Sequence, residues 1–171
     1  SFVETLYAFP KPIIAAVEGF AAGAGFSLAL GCDLIVAAED AKFVMSYGKV
    51  GLSPDGGGSW QLARRVPSNV ALKMLWLPEP VTASQALAWG LVNEIAPKGL
   101  ALSVAMTLAS RLALMAPNAV ASAKELQHAA MTNLLGDQLK LEAQHFVANA
   151  FHANGGEGMQ AFLDKRPPVF G

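Results

Sequence analysis

Charged side chains are scarce in this chain: Asp, Glu, Lys and Arg make up 15% of the residues, and the formal net charge is −1. A near-neutral chain offers no basic surface for nucleic acid or for an anionic membrane, so we expect neither as a partner. Cysteine is equally scarce. Cys32 is the only one, which excludes an internal disulfide and predicts a reducing compartment, the cytoplasm by default.

Long hydrophobic runs are also absent, although 53% of the residues are hydrophobic. The most apolar segment, GLALSVAMTLAS, is closed by Arg111, short of the roughly 20 residues that span a bilayer. The opening stretch SFVETLYAF has neither an initiator methionine nor the pattern of a signal peptide. We therefore expect a soluble protein, and further residues before residue 1.

The histidines are few, and none belongs to a recognisable metal site. His128, His145 and His152 all lie in the second half of the chain, where no cysteine or carboxylate completes a ligand set. No metal ion is predicted.

Short apolar runs alternate with helical patterns in the first half of the chain. The β-branched run IIAAV predicts a strand buried on both faces, FSLALG a short helix, and DLIVAAE, AKFVMS and LVNEIAP further strands. Strand, glycine turn, helix, strand indicates an α/β architecture. Beyond Pro97 the pattern is almost purely helical, with breaks expected at Pro117, near Gly136 and near Gly155. We therefore divide the chain into residues 1–97 and 98–171.

The glycine turn VEGFAAGAGFSL fails two nucleotide-binding patterns. Leu28 stands where a dinucleotide fingerprint needs glycine or alanine, and no Gly-Lys-Ser/Thr follows for a phosphate loop. Two interpretations stay open. The small residues allow close packing of strand and helix, or they let a ligand reach free N–H groups at the start of the helix, in particular that of Ala24.

A second turn, GLSPDGGGSW, contains one carboxylate just before a predicted helix. Asp55 is well placed to cap that helix. It also stands among Leu52, Pro54 and Trp60, and a carboxylate in an apolar pocket is suited to act as a general base. Helix capping and general-base catalysis would both use the carboxylate oxygens of Asp55, so only one of them is the main role of this residue.

Three motifs in register resemble the crotonase superfamily, the enoyl-CoA hydratases and isomerases. They are KPIIAAVEGFAAGAGFSLALGCDLIVAAEDAKF, GLSPDGGGSWQLARRV and VTASQALAWGLVNEIAP, and the ending GMQAFLDKRPPVF resembles the C-terminus of the family. The resemblance implies a spiral of β-β-α turns followed by helices that form homotrimers or hexamers. It also implies an acyl-CoA substrate and no metal or redox cofactor, since coenzyme A belongs to the substrate.

The resemblance further implies that two backbone N–H groups hold the thioester oxygen. One is that of Ala24, next to Ala22 and Gly23, and the other belongs to an N-terminal part of the fold before residue 1. Hydratases of the family carry glutamates at the positions of Ser27 and Tyr47, so plain hydratase activity is not expected. Asp55 matches an acid found in several isomerases, and PDGGGSW is similar to the turn of ring-epoxide phenylacetyl-CoA isomerases. This favours a double-bond isomerase with Asp55 as the proton shuttle.

Several roles around this acid stay open. Tyr47 donates a hydrogen bond or shapes the pocket wall, and Ser27 binds the substrate or fills space on a short buried helix. Phe26, Met45 and Trp60, with Pro54, contact the acyl chain or belong to the core. The pair Arg64–Arg65 meets CoA phosphates or forms a solvated helix end. Two other functions compete: Asp55 as a nucleophile, as in aryl-CoA dehalogenases, and a non-catalytic acyl-CoA-binding protein in which Asp55 is only a helix cap.

Overall fold

The computed structural model describes all residues, Ser1 to Gly171. The chain divides into two compact units, which we describe separately. The N-terminal unit comprises Ser1–Phe9 and Ile13–Ala109, and the C-terminal unit comprises Pro10–Pro12 and Ser110–Gly171. The boundary drawn from the sequence at residue 97 stays a prediction.

Two three-stranded sheets form the framework of the N-terminal unit. One has the order β1-β3-β6 with parallel pairs, and the other has the order β2-β4-β5 with one parallel and one antiparallel pair. The α/β class predicted from the sequence is therefore confirmed. The strands are β1 (Ile14–Val17), β2 (Phe20–Ala22), β3 (Leu34–Ala38), β4 (Lys42–Val44), β5 (Val81–Thr82) and β6 (Glu94–Ala96).

Strand β3 is the central strand of the first sheet and lies within the hydrophobic core. Its residues Ile35, Val36, Ala37 and Ala38 are all fully buried, as expected for a parallel strand with both faces covered. Strand β2 lies inside the glycine turn VEGFAAGAGFSL, for which no strand is predicted. It forms by pairing Phe20–Ala22 with Lys42–Val44, and local composition does not reveal a partner so distant in sequence.

Nine α-helices and one 3₁₀ helix complete the chain. The sequence Thr82-Ala83-Ser84-Gln85 has the pattern of a capping box and forms one at the start of α5: the Thr82 hydroxyl accepts from the Gln85 N–H, and the Gln85 side chain accepts from the Thr82 N–H. The helices are α1 (Phe2–Tyr7), α2 (Ala24–Gly31), the 3₁₀ helix (Tyr47–Val50), α3 (Gly58–Arg65), α4 (Ser68–Trp76), α5 (Ala83–Ala88), α6 (Ala101–Ala113), α7 (Pro117–Ala130), α8 (Leu135–Ala150) and α9 (Ala153–Leu163).

Long-range polar contacts fix two of these helices in the N-terminal unit. The Glu18 carboxylate accepts from the N–H groups of Gly99 and Ala101, at 3.1 and 2.8 Å, and so caps the start of α6. The Arg65 guanidinium donates to the carbonyl oxygens of Leu30 and Cys32, at 2.8 and 3.0 Å, where α2 ends. These contacts hold α2, which begins at the first glycine turn, in a defined position.

Asparagine side chains link the helices of the C-terminal unit. Asn118 donates to Asn149 at 2.7 Å, and Asn154 donates to Asn118 at 2.8 Å. The break expected near Gly155 lies a few residues earlier, at Phe151 and His152, and α9 runs through Gly155 itself. A Cβ at Gly155 would overlap the carbonyl oxygen of Asn149, so this glycine serves a close helix approach rather than a helix end.

No single helix is both apolar and long enough to cross a membrane; only α6 and α7 taken together, across their bend, meet the criteria of length and composition.

Candidate active site

The first glycine turn presents unused N–H groups at the start of α2. The Gly23 N–H donates to the Val44 carbonyl at 2.9 Å, which ties the turn to β4. The first bond of the helix runs from the Ser27 N–H to the Gly23 carbonyl, also 2.9 Å. The N–H groups of Ala24 and Gly25 therefore have no acceptor within the helix, and both residues are exposed. Ala22, at the end of β2, is exposed beside them.

The second turn brings Asp55 to the surface but does not use it as a helix cap. Helix α3 has Gly57 as its N-cap, with no side-chain cap, and the backbone carbonyl of Asp55 accepts from the Gly58 N–H at 3.0 Å. The Asp55 carboxylate instead accepts from the Tyr47 hydroxyl at 2.5 Å. The capping interpretation is therefore wrong.

Tyr47 is buried at the start of the 3₁₀ helix. Burial and the hydrogen bond to Asp55 raise the pKa of the Tyr47 phenol above its ordinary value of 10.0. The phenol is therefore protonated at neutral pH and acts as a hydrogen-bond donor. Tyr47 thus donates to Asp55, and its role towards a substrate stays a prediction.

The Tyr47 side chain lies between the two turns. A Cβ built at Gly23 would be 3.7 Å from the Tyr47 Cζ, the ring atom that bears the hydroxyl. Gly23 also has a positive φ of 50°, which L-residues with side chains rarely adopt. Tyr47 thus contacts the start of α2 with its ring and Asp55 with its hydroxyl.

Ser27 completes a row of three polar side chains. It is fully buried, and its hydroxyl lies 3.1 Å from the Tyr47 hydroxyl. The three residues lie in separate segments, Ser27 in α2, Tyr47 at the start of the 3₁₀ helix and Asp55 in the second turn, with sequence separations of 20 and 8 residues between neighbours in the row. No local pattern in the sequence therefore signals that the Ser27, Tyr47 and Asp55 side chains meet.

Two residues predicted to contact an acyl chain belong to the core instead. Phe26 has 0% and Met45 1% of its surface exposed, and the Phe26 ring packs against that of Phe43 with centroids 5.1 Å apart. Side chains enclosed in this way by the chain itself are not free to contact a substrate, so these two predictions are corrected. The prediction fails because the sequence near a glycine turn does not distinguish an apolar core residue from one that lines a substrate pocket.

Trp60 keeps 39% of its surface exposed, and Pro54 is half-buried. The Tyr7 ring meets the Trp60 ring edge-on at 5.1 Å, and the Arg64 guanidinium lies 3.8 Å above it. Contact of Trp60 or Pro54 with a substrate stays a prediction.

The adjacent arginines have different roles. Arg64 is exposed over Trp60, whereas Arg65 is directed to the end of α2, and burial lowers its pKa. Arg65 is thus neither a solvated helix end nor a free phosphate ligand.

The histidines take part in structural contacts. The His145 Nδ1 lies 3.0 Å from the Ser122 hydroxyl, and His152 caps α9 through the Asn154 N–H. No group of three or more His, Cys, Asp or Glu side chains is arranged to hold a metal ion.

Comparison with known proteins places this geometry in a family. The sequence model described as "Enoyl-CoA hydratase/isomerase" matches residues 1–171. The chain is 42% identical over 165 residues to 2,3-dehydroadipyl-CoA hydratase of Escherichia coli K12, covering 96% of this chain and 65% of the relative. It is 40% identical over 168 residues to 1,2-epoxyphenylacetyl-CoA isomerase of the same organism, covering 98% and 64%.

A solved structure agrees with these matches. The crystal structure of an enoyl-CoA hydratase from Polaromonas sp. JS666 superposes with a TM-score of 0.97 at 54% identity, covering 99% of this chain and 66% of that one. The chain thus spans slightly less than two thirds of the length of the curated relatives. Its fold is that of these enzymes, and it belongs to the enoyl-CoA hydratase/isomerase family.

Proposed function

We propose that this protein is an acyl-CoA double-bond isomerase in which Asp55 moves the proton. The observation that carries the proposal is the Asp55 carboxylate itself. It is exposed, it caps no helix, and one of its oxygens, Oδ1, accepts from the Tyr47 hydroxyl while Oδ2 is not bound by another residue of the chain. A carboxylate held by one oxygen and free at the other is suited to accept and return a proton.

The row Ser27–Tyr47–Asp55 contains one carboxylate, and this favours isomerisation over hydration. Addition of water to a double bond needs groups that position the water and manage two proton movements, for which paired carboxylates are suited. Ser27 and Tyr47 stand where the resemblance puts the two hydratase glutamates. Their hydroxyls hydrogen-bond to each other, that of Tyr47 also donates to Asp55, and neither is a base at neutral pH.

The reaction that fits one base is a proton shift along the acyl chain. Asp55 removes a proton from C2 of a 3-enoyl thioester, and the electron pair moves into the thioester carbonyl to give a dienolate. The same carboxylic acid then returns the proton to C4, which yields the 2-enoyl thioester and restores the carboxylate. No water, oxidant or reductant is consumed.

The N–H groups at the start of α2 supply the second requirement. A dienolate carries negative charge on its oxygen, and an N–H donor fixed in place is worth roughly 10²–10³ in rate. The Ala24 N–H is exposed and unused by the helix, and Tyr47 contacts both turns. This arrangement supports Ala24 as one donor to the thioester oxygen.

The substrate class is proposed as an acyl-CoA thioester, in accord with the family. The two E. coli relatives carry the names of a hydratase and an isomerase, so their names do not separate the two reactions. The single carboxylate is the feature that favours isomerisation.

The test uses the intact protein and its Asp55→Asn variant with a 3-enoyl-CoA in deuterated water. We expect 2-enoyl product without hydrated product, and a kcat lowered by roughly 10²–10⁴-fold in the variant, as for loss of a general base. The matched control is Asp40→Asn, which removes an exposed carboxylate paired with Lys98 and should leave kcat unchanged.

Three outcomes contradict the proposal. Hydration that survives in Asp55→Asn places the catalytic acid elsewhere. A covalent adduct on Asp55, seen by mass spectrometry, makes it a nucleophile. Wild-type protein that binds acyl-CoA but neither isomerises it nor exchanges its C2 hydrogen is non-catalytic.

A further inference from the structure

The buried hydroxyl of Ser27 is not explained by the proposed chemistry. Ser27 is fully enclosed between α2 and the second turn, so it does not touch a substrate. Its one recorded side-chain hydrogen bond is to the Tyr47 hydroxyl, at 3.1 Å. A hydroxyl is an unfavourable group to bury unless it is hydrogen-bonded, and the contact with Tyr47 supplies that hydrogen bond.

The direction of the two hydrogen bonds follows from the number of protons. A tyrosine hydroxyl has one proton, and an ionised carboxylate has none. The Tyr47 proton is therefore donated to Asp55, across the short distance of 2.5 Å. The Tyr47 oxygen is left to accept, and the donors directed at it are the Ser27 hydroxyl and the backbone N–H of Asp55. The protons all point one way, from Ser27 through Tyr47 to Asp55.

Two glycines of the second turn confine the Ser27 side chain. A Cβ at Gly58 would overlap the Ser27 hydroxyl oxygen, and a Cβ at Gly56 would be 3.0 Å from the Ser27 Cβ. The turn backbone thus lies directly against Ser27. Close packing of this kind leaves little room for another rotamer, and the hydroxyl stays directed at Tyr47.

We propose that Ser27 is a positioning residue. By donating to the Tyr47 oxygen, it keeps the Tyr47 hydroxyl hydrogen-bonded to Asp55 Oδ1. The other oxygen, Oδ2, is then the one that carries the substrate proton during isomerisation. This inference rests on the proposed function. It predicts that loss of the Ser27 hydroxyl slows the chemical step without weakening substrate binding, because Ser27 acts through Tyr47.

A double-mutant cycle tests the coupling. In the intact protein, Ser27→Ala should lower kcat by about 3- to 10-fold, the range expected for one neutral hydrogen bond, with KM unchanged. In a Tyr47→Phe background the same change should have no further effect, because the acceptor is gone. A merely structural role for Ser27 would lower activity equally in both backgrounds, and that result would overturn the proposal.

A second readout does not depend on activity. Tyr7 and Tyr47 are the two tyrosines of this sequence, and in protein labelled with 3-fluorotyrosine the resonance that disappears in a Tyr47→Phe variant belongs to Tyr47, so that its titration reports the Tyr47 phenol. A donated hydrogen bond from Ser27 lowers the pKa of Tyr47, so Ser27→Ala should raise it. Ser103→Ala, which alters an exposed serine of α6, should leave it in place. An unshifted titration in Ser27→Ala would overturn the proposal.

The two readouts separate this inference from the proposed function. A wild type that does not isomerise overturns the proposed function and with it the catalytic role of Ser27, while the fluorine titration still tests the hydrogen bond. An active wild type whose kcat is unaffected by Ser27→Ala overturns the positioning role alone.

Discussion

At the scale of the residue, Gly58 is required by the serine buried beneath it. A Cβ at this position would overlap the Ser27 hydroxyl and lie 3.0 Å from the Met45 Cε. We expect Gly58→Ala to lower the free energy of unfolding by about 1–3 kcal/mol, as overpacking does. The measurement is urea denaturation of the intact protein.

The contrasting variants for Gly58 are Gly156→Ala and the double variant Ser27→Ala/Gly58→Ala. A Cβ at Gly156, in α9, meets nothing within 4 Å, so alanine should raise the free energy of unfolding by about 0.4–1 kcal/mol. The double variant should recover part of the loss caused by Gly58→Ala. Equal loss with and without the Ser27 hydroxyl would show that the overlap is not the cause.

Residue identities in the candidate site were more predictable than their contacts. The sequence indicates the exposed N–H groups near Ala24 and the acid at Asp55, because glycines and an isolated carboxylate are visible in it. It does not indicate that Asp55 meets Tyr47 rather than the helix. Gly56 and Gly57 both adopt positive φ, 59° and 80°, so the chain turns twice after Asp55, and the N-cap position falls on Gly57 instead.

At the scale of the element, Arg65 joins the end of α3 to the end of α2. Its guanidinium donates to two carbonyl oxygens where α2 finishes, and a cation there also complements the helix dipole. Arg65→Met keeps most of the side-chain volume but leaves these oxygens without a donor. We expect the free energy of unfolding to fall by about 1–3 kcal/mol, again measured by denaturation.

The neighbouring residue supplies the control for Arg65. Arg64 is exposed above Trp60, and a cation–π contact at the surface is worth about 0.5–1 kcal/mol. Arg64→Met should therefore cost less than Arg65→Met. If the two cost the same, the contacts of Arg65 with α2 do not contribute to stability.

Elements with local signals were predicted well, and those defined by distant partners were not. The β-branched runs that became β1 and β3 and the capping box of α5 are properties of neighbouring residues. Strand β2 depends on a partner far along the chain, since Phe20–Ala22 pairs with Lys42–Val44, and the passage of α9 through Gly155 depends on packing against the end of α8. The Arg64–Arg65 pair shows the same limit, since packing alone assigns the two residues different roles.

At the scale of the whole molecule, the apolar side chains exposed on the C-terminal unit support the prediction of a homotrimer or hexamer. Phe146, Phe151 and Phe162 keep 75%, 88% and 83% of their surface exposed, and burial of such apolar surface away from water is favourable. Self-association would bury them without any charged partner. We expect the intact protein to have the mass of a trimer or hexamer by light scattering at low micromolar concentration.

Substitution of one of these residues tests whether this surface makes the contact between copies. Phe162→Glu should shift the mass towards the monomer, since burial of an unpaired charge opposes association. Lys140→Glu, which changes an exposed charge in α8, should leave the mass unchanged. A wild-type monomer would contradict the predicted oligomer. A Phe162→Glu protein with a lower unfolding temperature but an unchanged mass would show that Phe162 is covered by its own chain. In that case the substitution destabilises the fold and leaves the association intact.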